Sequence, residues 1–175
     1  VANSKALTQC ICSIVSSPAL STILAQKIMT KKNNTSTQNI FVFPNPTEKM
    51  EMTGERYVSS ITGNIQNEHY HRYLFALDFC RDKNVLDVAC GEGYGCNLIS
   101  QVASEVVGVD VDANTVAYAD RTYGTPSVRF VAADATKLPF DDESFDVVTS
   151  FETIEHFDGH EAFLAEIARV LRPDG

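Results

Sequence analysis

From about residue 67 onward, short apolar runs alternate with segments whose apolar residues recur every three or four positions. The apolar runs predict four strands, at residues 85–89, 106–109, 128–132 and 145–150. The helical spacing predicts helices over residues 67–80 and 97–103, and two more that begin after Asp112 and Asp158. Strands that alternate with helices indicate a mostly parallel sheet, and uninterrupted apolar runs indicate strands covered on both faces. The pattern therefore predicts a doubly wound α/β domain.

Two of the predicted helices carry signals at their boundaries. Asp112 precedes the third helix and is a good N-cap, because its carboxylate can accept a hydrogen bond from the first turn. Asp158 and Glu161 have the spacing of a capping box that would open the fourth helix. Arg169 and Arg172 lie near the end of that helix, where the helix dipole favours cations.

The first 50 residues differ in composition from the rest of the chain. They contain 17 Ser, Thr or Asn residues and carry a net charge of +4, whereas residues 51–175 carry a net charge of −13. This contrast predicts a low-complexity, poorly ordered leader and linker over residues 1–50 and one domain over residues 51–175. The overall charge of −9 argues against a nucleic-acid partner, because phosphate backbones repel an anionic surface.

Cysteine usage and hydropathy bear on the compartment. The five cysteines form no C-x-x-C pair, and an odd number fits poorly with a disulfide framework. Free thiols indicate a reducing compartment, and no apolar stretch approaches the roughly 18 residues of a membrane span. We therefore expect a cytoplasmic protein without a membrane span.

Chemically informative residues follow three successive predicted strands. Gly91 and Gly93 lie in a loop after the first strand, where the backbone allows a ligand to approach closely. Asp110 ends the second strand, and a carboxylate there can accept hydrogen bonds from both hydroxyls of a ribose. Asp134 and Ala135 follow the third strand, where a side-chain acceptor and a backbone N–H can bind the edge of an adenine. Because the carboxyl ends of parallel strands share one edge of the sheet, these residues predict a nucleoside pocket.

The spacing of the glycines bears on the kind of nucleoside. A dinucleotide fingerprint is G-x-G-x-x-G, but the sixth position counted from Gly91 is Cys96. Asp87 precedes the loop, and its charge would repel a pyrophosphate but could hold an ammonium group. This combination favours a nucleoside with an amino-acid tail, such as S-adenosylmethionine. A nicotinamide-dependent oxidoreductase with a Rossmann domain is the alternative.

These motifs resemble those of the class I S-adenosylmethionine-dependent methyltransferases, in particular the small-molecule group known as type 11. The resemblance rests on residues 85–95 (VLDVACGEGYG), 107–112 (VGVDVD), 133–140 (ADATKLPF), 145–157 (FDVVTSFETIEHF) and 169–175 (RVLRPDG). It implies an enzyme that uses S-adenosylmethionine as cofactor. Carried over by position, it implies a cofactor pocket formed by Asp87, Ala89, Gly91, Gly93, Asp110, Val111, Asp134, Ala135 and Ser150.

The sequence departs from the family pattern in two ways. Ala89 stands where the family usually has its first glycine, which would crowd the loop slightly. The chain also ends at the turn before strand five of a family sheet that has seven strands, so we expect a truncated domain whose C-terminal strands are missing. A cofactor-binding but catalytically inactive fragment is therefore a further alternative.

The resemblance also implies a reaction, an in-line displacement in which an O, N or C nucleophile takes the methyl group. The expected acceptor is a small molecule, such as a sugar or a lipid precursor. His156, just past the fourth strand, is the candidate general base for an alcohol acceptor. Glu152, Glu155 and His156 also form a candidate site for a divalent metal. The metal is the less favoured hypothesis, because acidic residues are common in the first turns of helices.

Overall fold

The computed structural model describes residues 64–156 and 158–175 of the chain. The elements in chain order are α1 (Asn64–Cys80), β1 (Asn84–Val88), α2 (Tyr94–Ile99), β2 (Glu105–Asp110), α3 (Ala113–Tyr123), β3 (Val128–Ala132), β4 (Val147–Thr149), a 3₁₀ turn (Ile154–His156) and α4 (His160–Val170). The predicted leader over residues 1–50 and the start of the predicted domain lie outside the described residues.

The four strands form one parallel sheet in the order β3-β2-β1-β4. β1 lies between β2 and β4 and is buried from Val85 to Val88, which is why its sequence is a continuous apolar run apart from Asp87. The register pairs Asp87 with Thr149, Val88 with Val109, and Asp110 with Ala132. The carboxyl ends of all four strands therefore lie side by side at one edge of the sheet. The prediction of a doubly wound parallel α/β fold is confirmed.

A hydrophobic cluster covers each face of the sheet. Because side chains alternate along a strand, Val85 and Leu86 of β1 enter different clusters. The first cluster includes Leu98 of α2 together with residues of α1, and the second includes Phe163 and Val170 of α4. The apolar runs of β1 and β2 correctly predicted strands that are covered on both sides, whereas β3 and β4 are less buried.

Several predicted boundaries differ from the structure by one to four residues. α2 begins at Tyr94 instead of residue 97, because Gly93, with a φ angle of 87°, turns the chain directly from the loop into the helix. β4 is shorter than predicted, and Phe145 instead forms an isolated parallel bridge with Leu171. The start of α2 depends on backbone geometry, to which the spacing of apolar residues is insensitive.

The helix-capping predictions have opposite outcomes. Asp112 caps α3 as predicted, since its side chain accepts a hydrogen bond from the Asn114 N–H at 3.0 Å. The capping box at Asp158 and Glu161 is wrong, because α4 begins after Gly159 and no side chain caps its first turn. Within the described part of the chain, no helix has the length and apolarity needed to cross a membrane.

Candidate functional site

The loop between β1 and α2 contains three residues with positive φ angles: Ala89 at 60°, Gly91 at 56° and Gly93 at 87°. Glycine adopts such angles without strain, whereas alanine is strained there. The cost of Ala89 is therefore in its backbone conformation, and not only in the slight crowding that the sequence predicted. A Cβ atom at Gly91 would meet no described atom within 4 Å, so open space lies over this residue. The loop thus leaves its backbone approachable at Gly91.

Other glycines near the loop make room for aromatic rings. A Cβ atom at Gly93 would lie 2.8 Å from the Phe130 ring, and one at Gly108 of β2 would lie 2.6 Å from the same ring. A side chain at Gly95 would overlap the Tyr73 ring. Gly93 therefore shapes the loop by close packing, while Gly91 borders the space that a ligand could enter.

Asp110, at the end of β2, ties the loop to the edge of the sheet. Its Oδ2 accepts a hydrogen bond from the Gly91 N–H at 3.0 Å, and its Oδ1 accepts one from the Asp112 N–H at 3.0 Å. Because a carboxylate has about four acceptor positions, each oxygen can still accept from a further donor. Next to it, Val111 is 76% exposed and presents an apolar surface. The structure thus brings together the loop and the carboxylate that the sequence assigned to one pocket.

The end of β3 is joined directly to the end of β2, since the Ala133 N–H donates to the Asp110 carbonyl at 3.0 Å. Asp134 follows and is exposed, and its Oδ1 accepts hydrogen bonds from the N–H and the hydroxyl of Thr136, which lower the pKa of this carboxyl. Ala135 is half-buried beside it. These residues lie at the same edge as Asp110, as the sequence predicted.

Asp87, a predicted cofactor contact, is held by protein side chains in this structure, and its contact with a ligand stays a prediction. The side chain is fully buried, and its Oδ1 accepts a hydrogen bond from the Thr149 hydroxyl at 2.7 Å. Its Oδ2 accepts from the Tyr73 hydroxyl at 3.0 Å and from the Cys96 thiol at 3.4 Å. Burial raises the pKa of Asp87 to about 6, and the hydrogen bonds from Thr149, Tyr73 and Cys96 oppose the rise. Asp87 is therefore a buried junction of α1, β1, α2 and β4.

The end of β4 lies against the end of β1, as expected for strand neighbours. The Ser150 hydroxyl donates to the Val88 carbonyl at 2.9 Å and lies 3.0 Å from the Thr153 hydroxyl. Ser150 therefore helps to hold the seam between the two strands, at the same edge as the glycine loop.

The candidate base and metal ligands lie beyond this seam. Glu152, Glu155 and His156 are all exposed, and the His156 N–H donates to the Thr153 carbonyl at 3.0 Å in the 3₁₀ turn. Within residues 64–156 and 158–175, no three His, Cys, Asp or Glu side chains converge to hold a metal ion. The structure therefore does not bring the candidate metal ligands together, and the role of His156 as a base stays a prediction.

Three side-chain contacts between distant elements have no signal in the sequence. Arg72 of α1 forms an ion pair with Glu152, with 2.6 Å between Nη2 and Oε1. Tyr73 and Thr149 bind Asp87 from elements that lie far from the glycine loop in the chain. Such long-range pairs join residues whose separation follows no motif, so only the folded chain reveals them.

A cavity of about 490 Å³ opens elsewhere in the domain. It is lined by residues at the amino ends of the strands, including Asn84, Glu105 and Arg129. None of the predicted site residues lines it. Ligands of parallel α/β sheets bind beyond the carboxyl ends of the strands, so this cavity is not the candidate site.

Known proteins have sequences similar to that of this chain. A family model described as a methyltransferase domain matches residues 86–175. Rv3030 of Mycobacterium tuberculosis, named as a probable S-adenosylmethionine-dependent methyltransferase, is 38% identical over 130 residues, which cover 72% of this chain and 46% of that protein. The phthiotriol/phenolphthiotriol dimycocerosates methyltransferase of the same species is 38% identical over 108 residues, which cover 61% of this chain and 40% of that protein. The chain thus spans less than half the length of these two relatives.

Solved structures are also similar to this chain. The YcgJ protein from Bacillus subtilis is 34% identical, with a TM-score of 0.57 over 61% of this chain and 48% of that one. The cyclase SpnF is 27% identical, with a TM-score of 0.55 over 62% of this chain and 42% of that one. The chain belongs to the methyltransferase domain family and has the class I fold of the S-adenosylmethionine-dependent methyltransferases.

Proposed function

We propose that this protein is an enzyme that binds S-adenosylmethionine at the carboxyl edge of its sheet and transfers the methyl group to a small-molecule acceptor. The observation that carries the proposal is the hydrogen bond from the Gly91 N–H to the Asp110 carboxylate, beside open space over the loop. This hydrogen bond joins the backbone at Gly91, which a ligand can approach, to the Asp110 carboxylate, which can accept hydrogen bonds from ribose hydroxyls. Membership of the methyltransferase domain family supports the choice of cofactor.

The adenosine part of the cofactor would lie along the ends of β2 and β3. Asp110 has acceptor positions left for two ribose hydroxyls after its two backbone hydrogen bonds. Asp134 and the Ala135 N–H would bind the polar edge of the adenine. The exposed Val111 side chain would pack against the face of the ring, which accounts for a large apolar group in solvent at this position.

In this reaction the protein mainly positions the cofactor and the acceptor, and it contributes little chemistry of its own. S-adenosylmethionine would supply a methyl group on a sulfonium, and an O, N or C nucleophile of the acceptor would attack this methyl group in line, with S-adenosylhomocysteine as the leaving group. Holding two partners at near-attack distance is worth roughly 7–11 kcal/mol in favourable cases. We assign the acceptor to the β4 side of the edge, opposite the adenosine side.

His156 is the proposed general base if the acceptor is an alcohol, and such a base typically contributes about 10²–10⁴-fold. Its side chain is exposed. A metal bound by Glu152, Glu155 and His156 is the less favoured arrangement. Activity that is indifferent to a chelator would remove the metal from consideration, whereas loss with chelator and recovery with magnesium or zinc would support it.

A sugar or lipid precursor is the proposed acceptor class. A relative that is named for phthiotriol and phenolphthiotriol dimycocerosates supports the lipid-related part of this class. We also propose a cytoplasmic location, since Cys80, Cys90 and Cys96 are free and buried, as in proteins of reducing compartments.

The fold alone does not determine the reaction, because a structural neighbour is named as a cyclase. Calorimetry with S-adenosylhomocysteine and with NAD separates the methyltransferase from the oxidoreductase. We expect S-adenosylhomocysteine to bind and NAD not to bind, and tight binding of NAD alone would reverse the assignment.

Transfer itself is tested with S-adenosylmethionine that carries a labelled methyl group and a panel of sugar and lipid-precursor acceptors. The assay uses this chain and a product of the reading frame extended past Gly175. We expect labelled product with an acceptor of this class. Cofactor binding without transfer by either product would favour the catalytically inactive module.

A further inference from the structure

The adenine side of the proposed site belongs to a segment, residues 133–144, that contains neither helix nor strand. Its first residue is joined to the end of β2, since the Ala133 N–H donates to the Asp110 carbonyl. Asp134 and Ala135, the proposed adenine contacts, follow directly. A segment without a backbone ladder of its own depends on contacts from other elements for its position. The contacts that hold this segment therefore determine where the adenine can bind.

Arg169 of α4 binds this segment at two backbone carbonyls. Its Nη2 donates to the Leu138 carbonyl at 3.0 Å, and its Nη1 donates to the Phe140 carbonyl at 2.7 Å. Nη1 also donates to the Asp142 carboxylate at 2.8 Å. The remaining donors, on Nε and Nη2, bind the two oxygens of Glu166 at 2.7 and 2.8 Å. All five N–H donors of the guanidinium thus have acceptors.

Glu166 binds the same segment from the preceding turn of α4. Its Oε2 accepts a hydrogen bond from the Leu138 N–H at 2.7 Å, so α4 binds both backbone polar groups of Leu138. Hydrogen bonds from Arg169 lower the pKa of Glu166, and its carboxylate is therefore charged at neutral pH. The Leu138 side chain is buried in the second hydrophobic cluster. Leu138 is thus fixed through its backbone and its side chain together.

A short turn connects Leu138 to the proposed adenine contacts. Leu138 lies four residues after Asp134, and the Lys137 N–H donates to the Asp134 carbonyl at 2.9 Å. The hydrogen bonds to the Asp134 side chain come from Thr136, within the same turn. These bonds shape the turn but do not attach it to the rest of the domain. A displacement of Leu138 would therefore move Asp134 and Ala135 with it.

We propose that Glu166 and Arg169 position Asp134 and Ala135 and thereby set the selectivity of the pocket for adenine. This inference rests on the proposed function. Glu166 and Arg169 are positioning residues, because they act through the backbone at Leu138 and not by contact with the cofactor. Hydrogen bonds to a base are sensitive to distance and angle, so a displaced turn would lose the contacts that distinguish adenine from another purine. The ribose contacts at Asp110 lie outside this turn and would be retained.

Two ligands that differ only at the purine edge test the inference by calorimetry. S-adenosylhomocysteine presents an amino group and an unprotonated ring nitrogen, which match Asp134 and the Ala135 N–H. S-inosylhomocysteine presents a carbonyl oxygen and a protonated ring nitrogen, which match neither. We expect the unmodified protein to bind S-adenosylhomocysteine more tightly. Arg169→Gln should weaken binding of S-adenosylhomocysteine by about 10-fold, as loss of one hydrogen bond does, and leave the affinity for S-inosylhomocysteine unchanged.

Arg172→Gln is the matched control. Arg172 donates to the Glu143 carbonyl at 3.2 Å and to the Asp146 carboxylate at 2.5 Å, so it binds the chain beyond the adenine turn. Its replacement should leave both affinities unchanged. Arg169→Lys keeps the charge but offers three donors in place of five. It should still weaken binding of S-adenosylhomocysteine by about threefold, which provides a readout if Arg169→Gln does not fold.

Equal weakening of both ligands by the Arg169 variants would assign Arg169 a structural role only and overturn the proposal. An unchanged affinity for S-adenosylhomocysteine in both variants would overturn it as well, and so would the same loss of selectivity in Arg172→Gln. Failure of the unmodified protein to bind S-adenosylhomocysteine would refute the proposed function, and this inference with it.

Discussion

Replacing Asp87 with Asn should remove a contribution to stability that depends on pH. Burial raises the pKa of this carboxyl from 3.8 to about 6 in the folded chain. A carboxyl that binds its proton more tightly when folded stabilises the fold at low pH, and this contribution is lost as the pH rises from about 4 through 6. Since one pKa unit corresponds to about 1.36 kcal/mol, the full contribution is about 3 kcal/mol.

The measurement is urea unfolding of the wild type and of Asp87→Asn between about pH 4.5 and 7.5. The free energy of unfolding of the wild type, minus that of the variant, should fall by about 2 kcal/mol over this interval, because roughly 1 kcal/mol is already lost below it. Asp174→Asn removes an exposed carboxylate and controls for the change in net charge. A difference that stays constant or rises with pH would refute the argument that burial of the charge dominates at Asp87.

Three further substitutions test the loop and its neighbours. Asp110→Ala should weaken binding of S-adenosylhomocysteine by about 1–3 kcal/mol in calorimetry, and an unchanged dissociation constant would show that the ribose lies elsewhere. Gly95→Ala should destabilise the domain by about 1–3 kcal/mol in thermal unfolding, because the new methyl group would overlap the Tyr73 ring, and an unchanged Tm would contradict this packing. Ala89→Gly should raise the stability by up to about 1 kcal/mol, since it relieves a φ angle of 60°, and a large loss of stability would contradict that strain.

The sequence predicted the fold well because burial of apolar side chains determines the strands and helices. The order of those side chains can be read directly from the sequence. β3 spans Val128–Ala132 as the apolar run predicted, and Asp112 caps α3. The start of α2 was missed because it depends on the backbone conformation of Gly93. The capping box at the start of α4 failed because a matching motif does not ensure that the chain turns at that residue.

The candidate site was predictable only where one residue follows a strand directly. Asp110 and the glycine loop are together because neighbouring parallel strands end at the same level. The buried position of Asp87 could not be inferred, because its partner Tyr73 belongs to a helix whose docking is set by packing. The contact between Arg72 and Glu152 depends on the same docking and was missed for the same reason.

The Phe130 ring occupies the space left by both Gly93 and Gly108, so a single aromatic side chain on β3 sets how closely the loop can approach β2. A larger residue at either glycine would have to be accompanied by a smaller one at position 130. These three positions should therefore vary together among related sequences, and an engineer who wishes to reshape the loop must redesign the third strand at the same time.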